Sequence, residues 1–155
     1  LALTEQVDVG AQLFKQERFS KRMIELVTSQ NYPIGMASFE TCANCALEIY
    51  LGTRDFFALH MVTATQAARI CAQLVDPQLV MTCLTGAILA AHKAVGSPEF
   101  ADPKPMNASL NPEHCLKYAW ACLSEHGAYG DPRYLDEIKA FREMGLIPKW
   151  SALDG

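Results

Sequence analysis

Apolar residues recur along this chain at helical spacing, in segments that Gly, Pro, Asn and Asp separate. The segments with this pattern are residues 8–29, 36–51, 55–75, 77–95, 111–126 and 131–145. No stretch alternates polar and apolar residues, and Asn-Gly or Asp-Gly, the usual hairpin turn pair, occurs only at the terminal Asp154-Gly155. The pattern therefore predicts an all-α protein of about six helices and no sheet.

Short polar residues mark the starts of these helices. Asp55 can cap the third helix, and Asp76-Pro77, Asn111-Pro112 and Asp131-Pro132 are start signals for the next three. Glycines mark the ends, and we predict that helices stop at Gly52, Gly96, Gly127 and close to Gly145. Prolines at 98, 103 and 105 predict a loop over residues 97–111.

Composition narrows the class of protein. The chain has 155 residues, enough for one helical domain or half-domain. Its net charge of -4 does not indicate a basic surface that would bind nucleic acid or an anionic membrane. The first ten residues lack the basic and apolar regions of a signal peptide, and no apolar run approaches the length of a membrane span, so we expect a soluble, intracellular protein. Since the first residue is not Met, we expect a piece of a longer polypeptide.

Six cysteines lie in apolar, helix-like segments, where we expect reduced and buried thiols. Cys42 and Cys45 form a Cys-x-x-Cys pair, but a structural zinc site needs four ligands and no second pair occurs. A thioredoxin-like pair would need a neighbouring βαβ unit, which the pattern does not predict. We therefore interpret this pair as two small thiols on a packed helix.

The segment CLKYAWACL is apolar nearly all round. Leu116, Ala119, Trp120 and Leu123 make one predicted core stripe, and the opposite face carries Tyr118, Ala121 and Cys122. Such a helix is usually buried, which would place Lys117, its one charged residue, in the interior beside His114 at i−3. The alternative is that Lys117 extends along the helix surface into water.

Histidine 60 is the one polar side chain of FFALHMV. It is either a core histidine with a satisfied hydrogen bond or a residue with a catalytic or metal-binding role. His92 and His126 lie near predicted helix ends, where a structural role is expected. The chain has no nucleotide-binding loop, no serine hydrolase elbow and no His-Glu-x-x-His metal motif.

Two stretches, DFFALHMVTATQAARI and NPEHCLKYAWACLSEHGAYGDPRYL, resemble segments of the questin oxidase-like family. The resemblance covers residues 40–145. It implies that the chain is the C-terminal part of a larger helical enzyme of fungal polyketide pathways. Such enzymes open a ring of an anthraquinone-type substrate with O2, a C–C cleavage described as Baeyer–Villiger-type oxidation, and NADPH can serve as reductant. The site positions carried over are His60, His114 and Lys117, to be completed by histidines of the N-terminal half.

Oxygen in its triplet ground state reacts slowly with a closed-shell aromatic ring, so we expect a metal. Two imidazoles and one anionic oxygen suit non-haem Fe2+, which makes His60 and His114 candidate ligands. Our hypothesis for the third is Lys117, carboxylated by CO2 to a carbamate. Tyr118, Trp120, Phe56 and Phe57 are candidates to line an apolar substrate pocket.

Two other functions remain open. In the first, a cofactor-free or NADPH-dependent oxidase uses His60 and His114 as acid and base on phenolic hydroxyls. In the second, the chain is a helical interaction module with no active site.

Overall fold

A computed structural model describes residues 21, 38–99, 102–106 and 110–148 of the chain. Within these residues it has five helices and no strand: α1 (Phe39–Thr53), α2 (Phe56–Cys71), α3 (Pro77–Ala94), α4 (Pro112–Tyr129) and α5 (Pro132–Glu143). The all-α prediction is confirmed. The predicted helix over 8–29 lies outside the described residues, except for Lys21, which is helical and exposed. None of the helices in the described ranges is long and apolar enough to cross a membrane.

The predicted helix starts are confirmed by side-chain caps. Asp55 accepts hydrogen bonds from the backbone N–H groups of Phe57 and Ala58, at 2.7 and 3.3 Å. Asp76, Asn111 and Asp131 each accept one from the second residue of their helices. These bonds satisfy N–H groups that have no partner inside the helix, which is why short polar residues set helix starts.

The predicted helix ends are less accurate. Gly52 lies inside α1, which ends instead at Thr53, and Arg54 caps it in the left-handed conformation with φ 55°. Gly127 lies inside α4, and Gly130, with φ 72°, is the left-handed cap. Glycine can continue a helix at modest cost, so the first glycine in a segment does not have to be its end.

The core lies among all five helices. α2 packs on α1, α3 and α4, while α4 also packs on α5 and α1 on α3. The ring of Tyr118 contacts Tyr50 and Phe141, with centroids 4.8 and 5.3 Å apart. These three rings join α1, α4 and α5 in one buried cluster.

Helix α4 buries the face opposite to the predicted core stripe. Tyr118, Ala121 and Cys122 are buried, whereas Leu116 is 40% and Trp120 61% exposed. The prediction is confirmed for buried Ala119 and wrong for Leu116 and Trp120, because both faces of the helix are apolar and periodicity could not choose between them. Tyr50 of α1 and Phe141 of α5 contact the Tyr118 ring on the buried face.

The cysteines divide into two groups. Cys42, Cys115 and Cys122 are buried and Cys45 is partly buried, as predicted. Cys71 and Cys83 are exposed, so the expectation of burial is wrong for them. Buried Leu84 and Met81 show that α3 turns its inner face away from Cys83.

A largely buried ion pair closes the end of the bundle where α1 meets α5. The guanidinium of Arg54 donates to both carboxylate oxygens of Glu137, at 2.5 and 2.9 Å, and Tyr118 donates to the same carboxylate at 3.3 Å. Arg54 Nε also donates to the carbonyl of Lys104, whose own N–H donates to Leu51. The pair therefore holds the end of α1, α5 and the 102–106 segment together.

Replacing Glu137 with Ala should lower the free energy of unfolding by about 3–5 kcal/mol, because Arg54 would keep a buried charge without its partner. Urea unfolding measures this change. The matched control on the same helix is Asp136→Ala, which breaks the exposed pair with Lys139 and should cost no more than about 1 kcal/mol. Equal losses in the two variants would contradict a special role for the Arg54 pair.

Candidate functional site

Three rings meet where α2 and α4 begin. Phe56 and His60 lie on the first turns of α2, and His114 lies on the first turn of α4. The His60 and His114 ring centroids are 5.3 Å apart, and Phe56 lies 4.6 Å from His60 and 4.9 Å from His114. The structure therefore brings together the two histidines that the sequence singled out.

The proton position on His60 follows from its hydrogen bond. Nδ1 lies 2.8 Å from the carbonyl oxygen of Phe56, which can only accept, so Nδ1 carries the hydrogen. In the neutral ring, Nε2 then holds the lone pair. His60 is exposed, so this nitrogen is available to a proton, a metal ion or a ligand hydroxyl.

His114 is partly buried, and its Nδ1 has no hydrogen-bond partner although it is buried. The pKa of His114 is lowered from 6.5, chiefly because burial removes water and next because of the charge on His60. The carboxylate of Glu113 opposes this shift. His114 is therefore held neutral near pH 7, which leaves its lone pair available.

Lys117 does not lie in the interior. Its ammonium is 2.6 Å from the carboxylate of Glu113 one turn earlier, and the two side chains are 64% and 67% exposed. Of the two alternatives for Lys117, the helix surface is confirmed and burial is wrong, because Lys117 lies on the outer face of α4 with Trp120. A charge in water next to a carboxylate is stable as an ammonium, so the physical argument for a carbamate no longer applies.

The residues near the histidine pair do not make a complete iron site. A 2-His-1-carboxylate centre needs a third protein ligand. In the described ranges, no group of three or more His, Cys, Asp or Glu side chains is placed to hold a metal ion. The nearest carboxylate in sequence, Glu113, is paired with Lys117. His60 and His114 could contribute two ligands and no more.

An open apolar cleft of about 190 Å³ lies between α2 and α3, and His60 is the one polar side chain in its wall. The other lining residues are Phe57, Met61, Ala64, Leu84, Ala87, Ile88 and Ala91. Of the four aromatic residues predicted to line a pocket, Phe57 lines this one and Phe56 contacts the two imidazoles. Tyr118 is buried elsewhere and Trp120 points outward.

The remaining histidines have structural partners. His92 Nε2 lies 2.9 Å from the carbonyl oxygen of Pro98, and His126 Nδ1 lies 2.9 Å from that of Asp131. Both bonds join a helix to the segment that follows it, which agrees with the structural role expected for these two residues.

Sequence reasoning missed a second buried pair that aligns α2 with α4. Arg69, near the end of α2, donates to Glu125 Oε1 through Nε at 3.0 Å and through Nη2 at 2.8 Å. Glu125 is completely buried, and Arg69 also donates to the Ser124 hydroxyl at 2.8 Å. The available signal was Arg69, which is the one Asp, Glu, Lys or Arg between Asp55 and Asp76 in the predicted helix 55–75.

Comparisons with protein-family models, with curated proteins and with solved structures return no match for this chain. The resemblance to questin oxidase-like proteins therefore stays a prediction that rests on the two segments quoted above.

An NMR titration should find the His114 ring proton changing at a pH below 6.5, because burial and the nearby His60 both oppose a charge there. Replacing His60 with Gln should raise the pKa of His114. Since the folded pKa is the lower one, protonation of His114 favours the unfolded chain, and its contribution to stability is lost as the pH falls below 6.5.

The control for this titration is His126→Gln, at the far end of α4. It should leave the pKa of His114 unchanged. A His114 that titrates at or above 6.5 in the unaltered chain would contradict the arrangement of the two rings.

Proposed function

We propose that this chain supplies a histidine pair to the active site of an oxidoreductase. Its substrate would be a phenolic aromatic polyketide of the anthraquinone type, opened with O2 in a Baeyer–Villiger-type reaction. The observation that carries the proposal is the meeting of His60 and His114, from two helices, beside an apolar cleft that His60 also lines. A largely apolar wall with one polar group is typical of sites for aromatic ligands.

The role that the geometry supports best is acid–base catalysis. His60 Nε2 accepts the proton of a phenolic hydroxyl, while the Nδ1 hydrogen bond to the Phe56 carbonyl stabilises the imidazolium that forms. His114 stays neutral, since two positive charges on rings with centroids 5.3 Å apart would repel each other. The pair therefore holds one proton, which it can return to the product.

Removing the phenolic proton makes the ring more electron-rich and easier to oxidise. In a Baeyer–Villiger-type reaction, one oxygen atom enters the substrate and the other leaves as water. NADPH supplies the two electrons for that reduction. The described residues act on the substrate proton and on the apolar surroundings of the ring.

A His-ligated non-haem Fe2+ is the alternative proposal. His60 and His114 would be two of its ligands, and Lys117 is no longer a physically motivated third. The other ligands would come from a different part of the protein, such as the N-terminal half that the resemblance implies. Metal analysis of the full-length protein, with activity measured after chelation, separates the two proposals.

Replacing His60 or His114 with Ala should lower kcat for oxidation of a hydroxyanthraquinone by about 10²–10⁴-fold, the usual loss when a general acid or base is removed. Oxygen uptake by the full-length protein measures this. Lys117→Met is the matched control on the exposed face of α4, and it should keep turnover close to that of the unaltered protein.

Full turnover in both histidine variants would refute the catalytic proposal. A loss of turnover in Lys117→Met as large as in His114→Ala would return Lys117 to the site. Circular dichroism of each variant shows whether the helical fold is retained.

A non-catalytic interaction module is a second candidate function, favoured by one observation. Trp120 is 61% exposed and Leu116, one turn away on the same face, is 40% exposed. Exposed tryptophan is enriched where proteins meet other proteins. If this face is an interface between copies, Trp120→Ser should remove any concentration-dependent increase in sedimentation coefficient, while the matched exposed variant Lys117→Ser should not.

A further inference from the structure

The strongest unassigned cluster is one of sulfur atoms between α1 and α3. We propose that Cys42, Cys45 and Met81 form a binding site for monovalent copper. Cys42 and Cys45 lie on α1, and Met81 contacts Cys42 from α3. The site is separate from the histidine pair, which lies on α2 and α4.

The distance between two of the sulfurs already suits a shared metal ion. Cys42 Sγ lies 3.9 Å from Met81 Sδ. In a trigonal site with metal–sulfur bonds of about 2.3 Å, neighbouring sulfurs are about 4 Å apart. The two donors from different helices therefore need no large movement to bind one ion.

Cys45 is placed to supply the third sulfur. Residues at i and i+3 of a helix lie on the same side, about 5–6 Å apart at their Cβ atoms. Cys45 packs against the core cluster but is only partly buried, which leaves a route from solvent. Its pKa is raised chiefly by burial, and next by the charges of Glu48 and Cys42.

The chemistry of the donors selects the ion. Two thiolates and one thioether are soft ligands, which favour Cu(I) among the common metals. Zinc would want a fourth ligand, and the described part of the chain offers no cluster of three His, Cys, Asp or Glu side chains for it. Binding of one Cu(I) releases two thiol protons and leaves a complex of charge −1, with no change in oxidation state.

Core packing is the competing explanation. The Cys42 thiol can donate to Met81 Sδ, and the Thr85 hydroxyl lies 3.8 Å from Cys42 Sγ. Burial raises the pKa of the Cys42 thiol, so without a cation this group remains protonated. The two explanations differ in one measurable property, which is a high affinity for Cu(I) that depends on all three sulfurs.

The test is an anaerobic titration of the full-length, reduced protein with Cu(I) in competition with a chromogenic Cu(I) chelator. The background is Cys71→Ser with Cys83→Ser, because these exposed thiols would bind copper independently. We expect one Cu(I) per chain, two protons released and, by X-ray absorption, three sulfur neighbours.

In this background, Cys42→Ser and Cys45→Ser should each weaken binding by at least about 100-fold, and Met81→Leu by at least about tenfold. Met81→Leu keeps the side-chain volume, so the fold should be retained. His60→Ala with His114→Ala is the control outside the site and should leave the affinity unchanged. Affinity that is unchanged in the cysteine variants, or no bound Cu(I) at all, would overturn the proposal.

Discussion

The ion pair between Arg69 and the buried carboxylate of Glu125 fixes how α2 lies against α4. Glu125 is 0% exposed, and one of its oxygens accepts two hydrogen bonds from the guanidinium. Sliding or rotating α2 would leave this carboxylate buried and unpaired, which costs several kcal/mol. Since α2 is one continuous helix from Phe56 to Cys71, its position at Arg69 also determines the position of His60 near its start. The meeting of His60 with His114 thus depends on a contact at the far end of the same helix pair.

Features that depend on a few neighbouring residues could be predicted from the sequence. The caps at Asp55, Asp76, Asn111 and Asp131 are of this kind, because a short side chain reaches the N–H groups of the next turn without help from the rest of the fold. The end of α1, by contrast, depends on residues that are distant in sequence. Arg54 adopts a left-handed conformation that is unfavourable for a non-glycine residue, and it does so where its side chain reaches Glu137 and Lys104. Those partners are distant in sequence, so Gly52 was the wrong choice of helix end.

The candidate site likewise has features that the sequence could predict and features that depend on distant residues. The sequence identified His60 as the one polar side chain of an apolar segment and His114 as the neighbour of Lys117 at i−3. The contacts of both rings with Phe56, and the cleft between α2 and α3, depend on helix packing. The error at Lys117 was of another kind, since its partner was available locally. Glu113 stands four residues earlier, and a Glu–Lys pair at that spacing is typical of an exposed helix face. That signal favoured the solvent-exposed alternative over burial.

The exposure of Lys117 changes which groups can set the charge of the site. An ammonium in water beside a carboxylate acts weakly on its neighbours, because solvent and the counter-charge both screen it. Among the causes that lower the pKa of His114, Lys117 accordingly ranks after burial and His60. The charge of the pair is therefore governed by the two imidazoles and by the water that their packing removes. One protonated ring opposes protonation of the other, so under the proposed mechanism the pair would carry a single proton, and His60 is the ring of the pair that lines the cleft.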